Sequence, residues 1–128
     1  MGVQPAGPDR GGPDWAAARE RLRHMAEAAA AIAAYAERGR AAFDADPAVQ
    51  DAILYRIVVL GEAAKAAVAA APELAAAYPA VDWRPIMRMR DRVAHRYWAT
   101  DPAVVWATAT EAVPELRAAL AAALDTTR

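Results

Sequence analysis

An arginine, an aspartate, a histidine and a tyrosine fall within eight residues of one another at Arg90, Asp91, His95 and Tyr97. Five arginines (Arg84, Arg88, Arg90, Arg92 and Arg96) lie between positions 84 and 96 with Asp91 as the one acid among them, giving a local charge of +4 in a chain whose formal net charge is -1. A cationic concentration on an acidic background points to an anion. The imidazole raises the prospect that the anion is reacted on as well as held, because such a ring titrates near pH ~6.5 and exchanges protons at neutrality. Guanidinium stays charged and grips phosphate oxygens through two parallel hydrogen bonds. These are parts suited to phosphate chemistry.

The elements that must position them are helices. Alanine, the strongest helix former, supplies 39 of the 128 residues, while Phe occurs once. Asp14 is placed to cap a first helix carrying Leu22, Met25, Ala29, Ile32 and Tyr35 at helical spacing up to the stop signal Gly39. Asp46-Pro47 opens a second, in which Val49, Ile53, Ile57, Leu60, Ala64 and Val68 share a face until Pro72. A short helix over Pro72 to Tyr78 is closed by Pro79, and Asp82 caps a third long helix with Trp83, Ile86, Met87, Met89 and Val93 as apolar contacts. Asp101-Pro102 starts the last helix, through Val105 and Trp106 to Leu124, which Pro114 must kink or divide. The expected fold is an all-α antiparallel bundle of about four long helices and a short one over residues 15–125, preceded by a Gly/Pro-rich disordered tail at 1–14. Alanine contributes little apolar area, so Trp83, Trp98 and Trp106 serve either the core or a subunit interface.

Arg90 and His95 lie on that third helix or its end. Five residues apart in a straight helix, they point roughly 140° from one another, since each residue turns about 100°. Either the helix loosens before His95, or a second copy of the chain completes the site. Gly61, in a helix interior, costs about 1 kcal/mol and signals close helix packing, with Glu62 beside it a candidate partner for a motif arginine. His24 has no comparable neighbourhood and reads as an exposed helix residue.

Several functions are excluded. There is no cysteine, hence no disulfide, thiolate zinc site or cysteine nucleophile, which fits a reducing cytoplasm. No zinc-ligand cluster, phosphate-binding glycine loop or serine triad is present, and neither a metal nor a cofactor is expected. The apolar runs are short and broken by charge, arguing against a membrane partner.

The spacing Arg90, four residues, His95, one residue, Tyr97 resembles the signature of the HepT-like toxins of the HEPN superfamily. The resemblance extends in order over about positions 20 to 124. It takes in the run Asp46-Pro47-Ala48-Val49-Gln50-Asp51-Ala52, then Arg56, Gly61-Glu62-Ala63-Ala64-Lys65, Trp83, Val105-Trp106 and Pro114-Glu115-Leu116. It implies a homodimeric, metal-independent endoribonuclease whose Arg and His act at the dimer cleft. A nucleotidyltransferase antitoxin of the MntA kind would neutralise it by attaching AMP to the motif tyrosine. Carried over, Arg90 and His95 are the catalytic pair and Tyr97 the modified residue. Asp91, at the polar position after the arginine, would orient Arg90 or His95, and Arg88, Arg92 and Arg96 would hold flanking phosphates of an RNA substrate.

Two other functions compete: a non-catalytic HEPN module that binds and regulates a nucleotidyltransferase, and RNA binding without cleavage. Arg90, Asp91, His95 and Tyr97 together favour the enzyme, because a scaffold has no chemical need of them. Few aromatics near the arginines are available to stack bases, against sequence-specific single-strand recognition. AMP on Tyr97 would add bulk and negative charge beside the cations meant for RNA phosphate. Incubation with ATP and the partner transferase is expected to add the mass of AMP to the wild-type chain and nothing to Tyr97→Phe. Full neutralisation of Tyr97→Phe would mean that control runs through another contact.

Overall fold

Asp14 caps the first helix as its position suggests: its carboxylate accepts a hydrogen bond from the Ala17 amide at 3.0 Å. The computed structural model describes residues 12–96 and 99–126, so the tail expected over 1–14 lies mostly outside the described residues, as do Tyr97 and Trp98. The chain forms α1 (Trp15–Ala36), α2 (Arg40–Ala45), α3 (Pro47–Ala70), α4 (Leu74–Ala77), α5 (Trp83–Arg96), α6 (Pro102–Ala107), a π-helical turn (Thr108–Ala112) and α7 (Val113–Thr126). No strand occurs among the described residues. The all-α expectation holds, with α1, α3, α5 and the run from α6 to α7 as the four long members.

α1 and α3 form the centre. They run antiparallel, and the Asp14 amide at the start of one donates to the Ala70 carbonyl at the end of the other at 2.8 Å. Leu22, Met25, Ala29 and Ile32 of α1 are buried against Val49, Ile53, Ile57, Leu60 and Ala64 of α3, the faces that the apolar spacing marks out. Small residues bring the backbones close. Ala18, Ala28, Ala63, Ala64 and Ala67 are all buried, where larger side chains would force the helices apart. α7 packs on α1 and α5 on α3, with Val113, Leu116 and Leu120 of α7 buried in the shared core.

α2 is an element that periodicity does not reveal. Six residues are too few to display a helical repeat. Gly39 opens it at φ 94°, a backbone conformation that suits glycine. The buried Phe43 then packs on Trp106 at 5.2 Å between ring centroids, and Gln50 Nε2 donates to the Phe43 carbonyl at 2.7 Å. The break expected at Pro114 takes the form of the π-helical turn just before it. Proline offers no amide hydrogen to the preceding turn and its ring crowds the carbonyl four residues back, and the wider turn accommodates both defects. Trp83 serves the core: it is buried, and its Nε1 donates to the Tyr78 carbonyl at 3.1 Å.

Gly61 sets the separation of α3 and α5. A Cβ at this position would lie 2.1 Å from the Arg90 Cβ and 2.6 Å from its Cγ. Neither is a flexible side-chain tip, so α5 itself must move. Gly61→Ala is therefore expected to lower stability by about 1–3 kcal/mol in urea unfolding, although alanine is the better helix former. A gain in stability would show that the helices are not held at this distance.

Candidate functional site

α5 begins at Trp83, with the Ile86 amide donating to the Asp82 carbonyl at 3.2 Å, and stays α-helical through Arg96. It does not loosen before His95. Of the two ways to unite Arg90 with His95, the one internal to a single helix is thereby removed. The two side chains leave an unbroken helix about 140° apart.

The faces of α5 have separate charge environments. Arg90 occupies the inward stripe with Trp83, Ile86 and Val93, and its side chain is only 25% exposed. There its Nη2 donates to Glu62 Oε2 of α3 and its Nη1 to Asp91 Oδ1 at 3.0 Å. The same Asp91 oxygen accepts from Lys65 Nζ of α3 at 2.6 Å. Four charges thus alternate across the helix contact: Glu62, Arg90, Asp91, Lys65. The outer face carries Arg84, Arg88, Arg92, His95 and Arg96, all exposed. None of them makes an ion pair with a described residue. The four outer arginines recur every fourth position, forming a ridge roughly 18 Å long at 1.5 Å per residue.

Hydrogen bonding sets the ionisation of the inner cluster. Lys65, and after it Arg90, donate to the Asp91 carboxylate and hold it below its ordinary pKa. Glu62, and after it Asp91, raise Arg90 further above its already high value, so its charge is permanent. Arg90 Nε is buried with no hydrogen-bond partner among the described residues, its N–H turned in from solvent. The arrangement is a fixed cation, backed by carboxylates, on the inward face of α5, with an exposed imidazole and a cationic ridge on the outer one.

The structure therefore divides the residues singled out by sequence. Arg90 and Asp91 are together, and Asp91 bonds to Arg90 rather than His95. His95 keeps company with Arg88, Arg92 and Arg96 instead of Arg90, and Tyr97 lies outside the described residues. Lys65 was missed as a partner of Asp91; its spacing of three from Glu62, one turn along α3, was the available signal. His24 is partly exposed on α1, 3.4 Å from Glu20. Among the described residues no group of three or more His, Asp or Glu is clustered to hold a metal ion, and no helix is long and apolar enough to cross a membrane.

Comparison with known proteins places this arrangement. The family described as ribonuclease HepT-like matches residues 25–123. The chain belongs to the HepT-like ribonuclease family. The matched region contains the whole inner cluster and His95. A similar protein is the probable ribonuclease HepT of Thermococcus cleftensis, 32% identical over 75 residues, which are 59% of this chain and 66% of that protein. The shared region thus spans just under two thirds of the relative. No solved structure matches the chain significantly.

The Asp91 shift has a pH consequence in this HepT-like chain. A carboxylate with a depressed folded pKa contributes stability that is fully present above its ordinary value of 3.8 and is lost as pH falls through the lower folded value. The wild type is expected to exceed Asp91→Asn in urea midpoint above pH 3.8, with the difference shrinking below it. A difference constant through that range would mean that Lys65 and Arg90 do not hold the ionised form.

Proposed function

We propose that this chain is the toxin of a toxin-antitoxin pair, an endoribonuclease that cleaves RNA without a metal ion at a cleft between two copies of itself. The observation that carries the reading is the state of Arg90: a permanently charged guanidinium, three-quarters buried, anchored by two carboxylates, with an exposed imidazole five residues on. RNA brings its own nucleophile. A base removes the proton of the 2′-hydroxyl, the 2′-oxygen to phosphorus bond forms, the bond to the 5′-oxygen breaks, and an acid protonates the leaving oxygen. His95 from each copy supplies these proton transfers. Arg90 stabilises the charge that builds on the phosphorane, a task for a donor fixed in advance. The ridge of Arg84, Arg88, Arg92 and Arg96 tracks flanking phosphates.

The unbroken course of α5 supports the two-copy cleft, because one helix cannot aim both groups at one phosphate. A face for the second copy lies beside His95. Leu54, Tyr55 and Val58 of α3 and Val93 and Ala94 of α5 line a shallow apolar groove of 290 Å³, with Tyr55 63% exposed. In the same reading a nucleotidyltransferase antitoxin attaches AMP to Tyr97, supported by that residue's place in the motif.

Purified protein incubated with RNA in excess chelator is expected to cleave it, and Arg90→Ala and His95→Ala are each expected to lose at least about a hundredfold in rate while remaining folded. Mixed and allowed to exchange subunits, the two inactive variants should stay far below the wild-type rate, since their heterodimer holds a single His95 for two proton transfers. Cleavage that requires magnesium, or a His95→Ala variant that cuts at the wild-type rate, sinks the mechanism. Recovery of the mixture would show that one His95 suffices for both proton transfers.

A further inference from the structure

The guanidinium of Arg90 ends a long flexible side chain, yet both of its terminal nitrogens are engaged. Nη1 meets Asp91 on its own helix, and Nη2 meets Glu62 on α3. Asp91 is in turn tied to α3 by Lys65. Glu62 and Lys65 are one helical turn apart, so a single stretch of α3 grips two consecutive residues of α5 through opposite charges. Gly61, immediately before Glu62, removes the Cβ that would collide with Arg90 and so permits the short reach. The Glu62 side chain is 53% exposed while that of Arg90 is 25% exposed, so the carboxylate bridges the surface and the largely buried cation. A guanidinium has five N–H donors. With one used on each terminal nitrogen, one on each remains for phosphate.

We propose that Glu62 is a positioning residue for Arg90, which it holds from the neighbouring helix in the orientation that phosphate requires, with Lys65 securing the second carboxylate of the clamp. The inference rests on the ribonuclease reading given above. Glu62 touches neither substrate nor reacting atoms; it acts through Arg90. Without it the side chain regains rotamers that present no donor to the phosphorane, and the loss falls on the chemical step rather than on substrate binding, to which the outer arginine ridge contributes. An alternative role, Glu62 as a stand-in that phosphate must displace, has the opposite consequence: its removal would strengthen binding or speed cleavage.

The test compares wild type, Glu62→Gln and Glu62→Ala on a short oligoribonucleotide, together with the NMR signal of the Arg90 Nε–H group in the free protein. Glu62→Ala is expected to lower kcat at least about tenfold with KM changed by less than about threefold. Glu62→Gln, which keeps an oxygen able to accept the hydrogen bond, should recover part of that loss. In the free protein, rotation about the Arg90 Nε–Cζ bond should be faster in Glu62→Ala than in wild type. An unchanged or increased kcat overturns the proposal, and so does an Arg90 signal that is the same in both proteins. If the wild type cleaves no RNA, the ribonuclease reading falls instead, and the Arg90 signal alone decides whether Glu62 holds it.

Discussion

The close approach of α5 to α3 at Gly61 is the contact on which the site depends. A single missing Cβ lets the Arg90 stem lie directly on the neighbouring backbone, and only at that distance can Glu62 and Lys65 reach across to Arg90 and Asp91. The ion pairs are partly exposed, and exposed pairs contribute little to stability. Their value is geometric. They fix a charged group whose own side chain would otherwise explore many rotamers.

That contact also explains how a thinly cored bundle can present a defined cation. Alanine gives the α1/α3 centre short distances but little apolar area per residue, and α5 adds only Trp83 and Val93 to the buried set. The helix that carries the arginines is thus held by a narrow apolar seam reinforced by alternating charge. Its outer face is left free, which is why four arginines and His95 can crowd there without a partner helix having to bury them. Burying such charges unpaired would cost far more than this core could offset.

Much of the bundle was legible in residue order because its signals are local. Asp14, Asp46 and Asp101 each accept a hydrogen bond from an amide of the first turn that follows, and Leu22 or Ile57 is buried where the 3.6-residue period puts it. Caps and periods act within a few residues, so they survive in sequence. α2 was not legible, since its stability comes from Phe43 meeting Trp106, sixty-three positions away. The π-helical turn was anticipated only as a defect at Pro114, because proline dictates that a regular helix must yield but not how.

Residue types and their order were enough to single out Arg90, Asp91 and His95, and to pair the glycine at 61 with close packing, because cation, imidazole and missing side chain are properties of individual residues. Which groups meet was decided by the fold. Nothing in the spacing of α5 requires Asp91 to bond to Lys65 and Arg90 in place of His95, or Glu62 to be the acid that Arg90 finds. Those pairings depend on the rotation and separation of α3 and α5, which are set by the packing of both helices at once. The continuity of α5 through Arg96 likewise belongs to the folded chain: the angle between Arg90 and His95 follows from helix geometry, but only the unbroken helix shows that the angle applies.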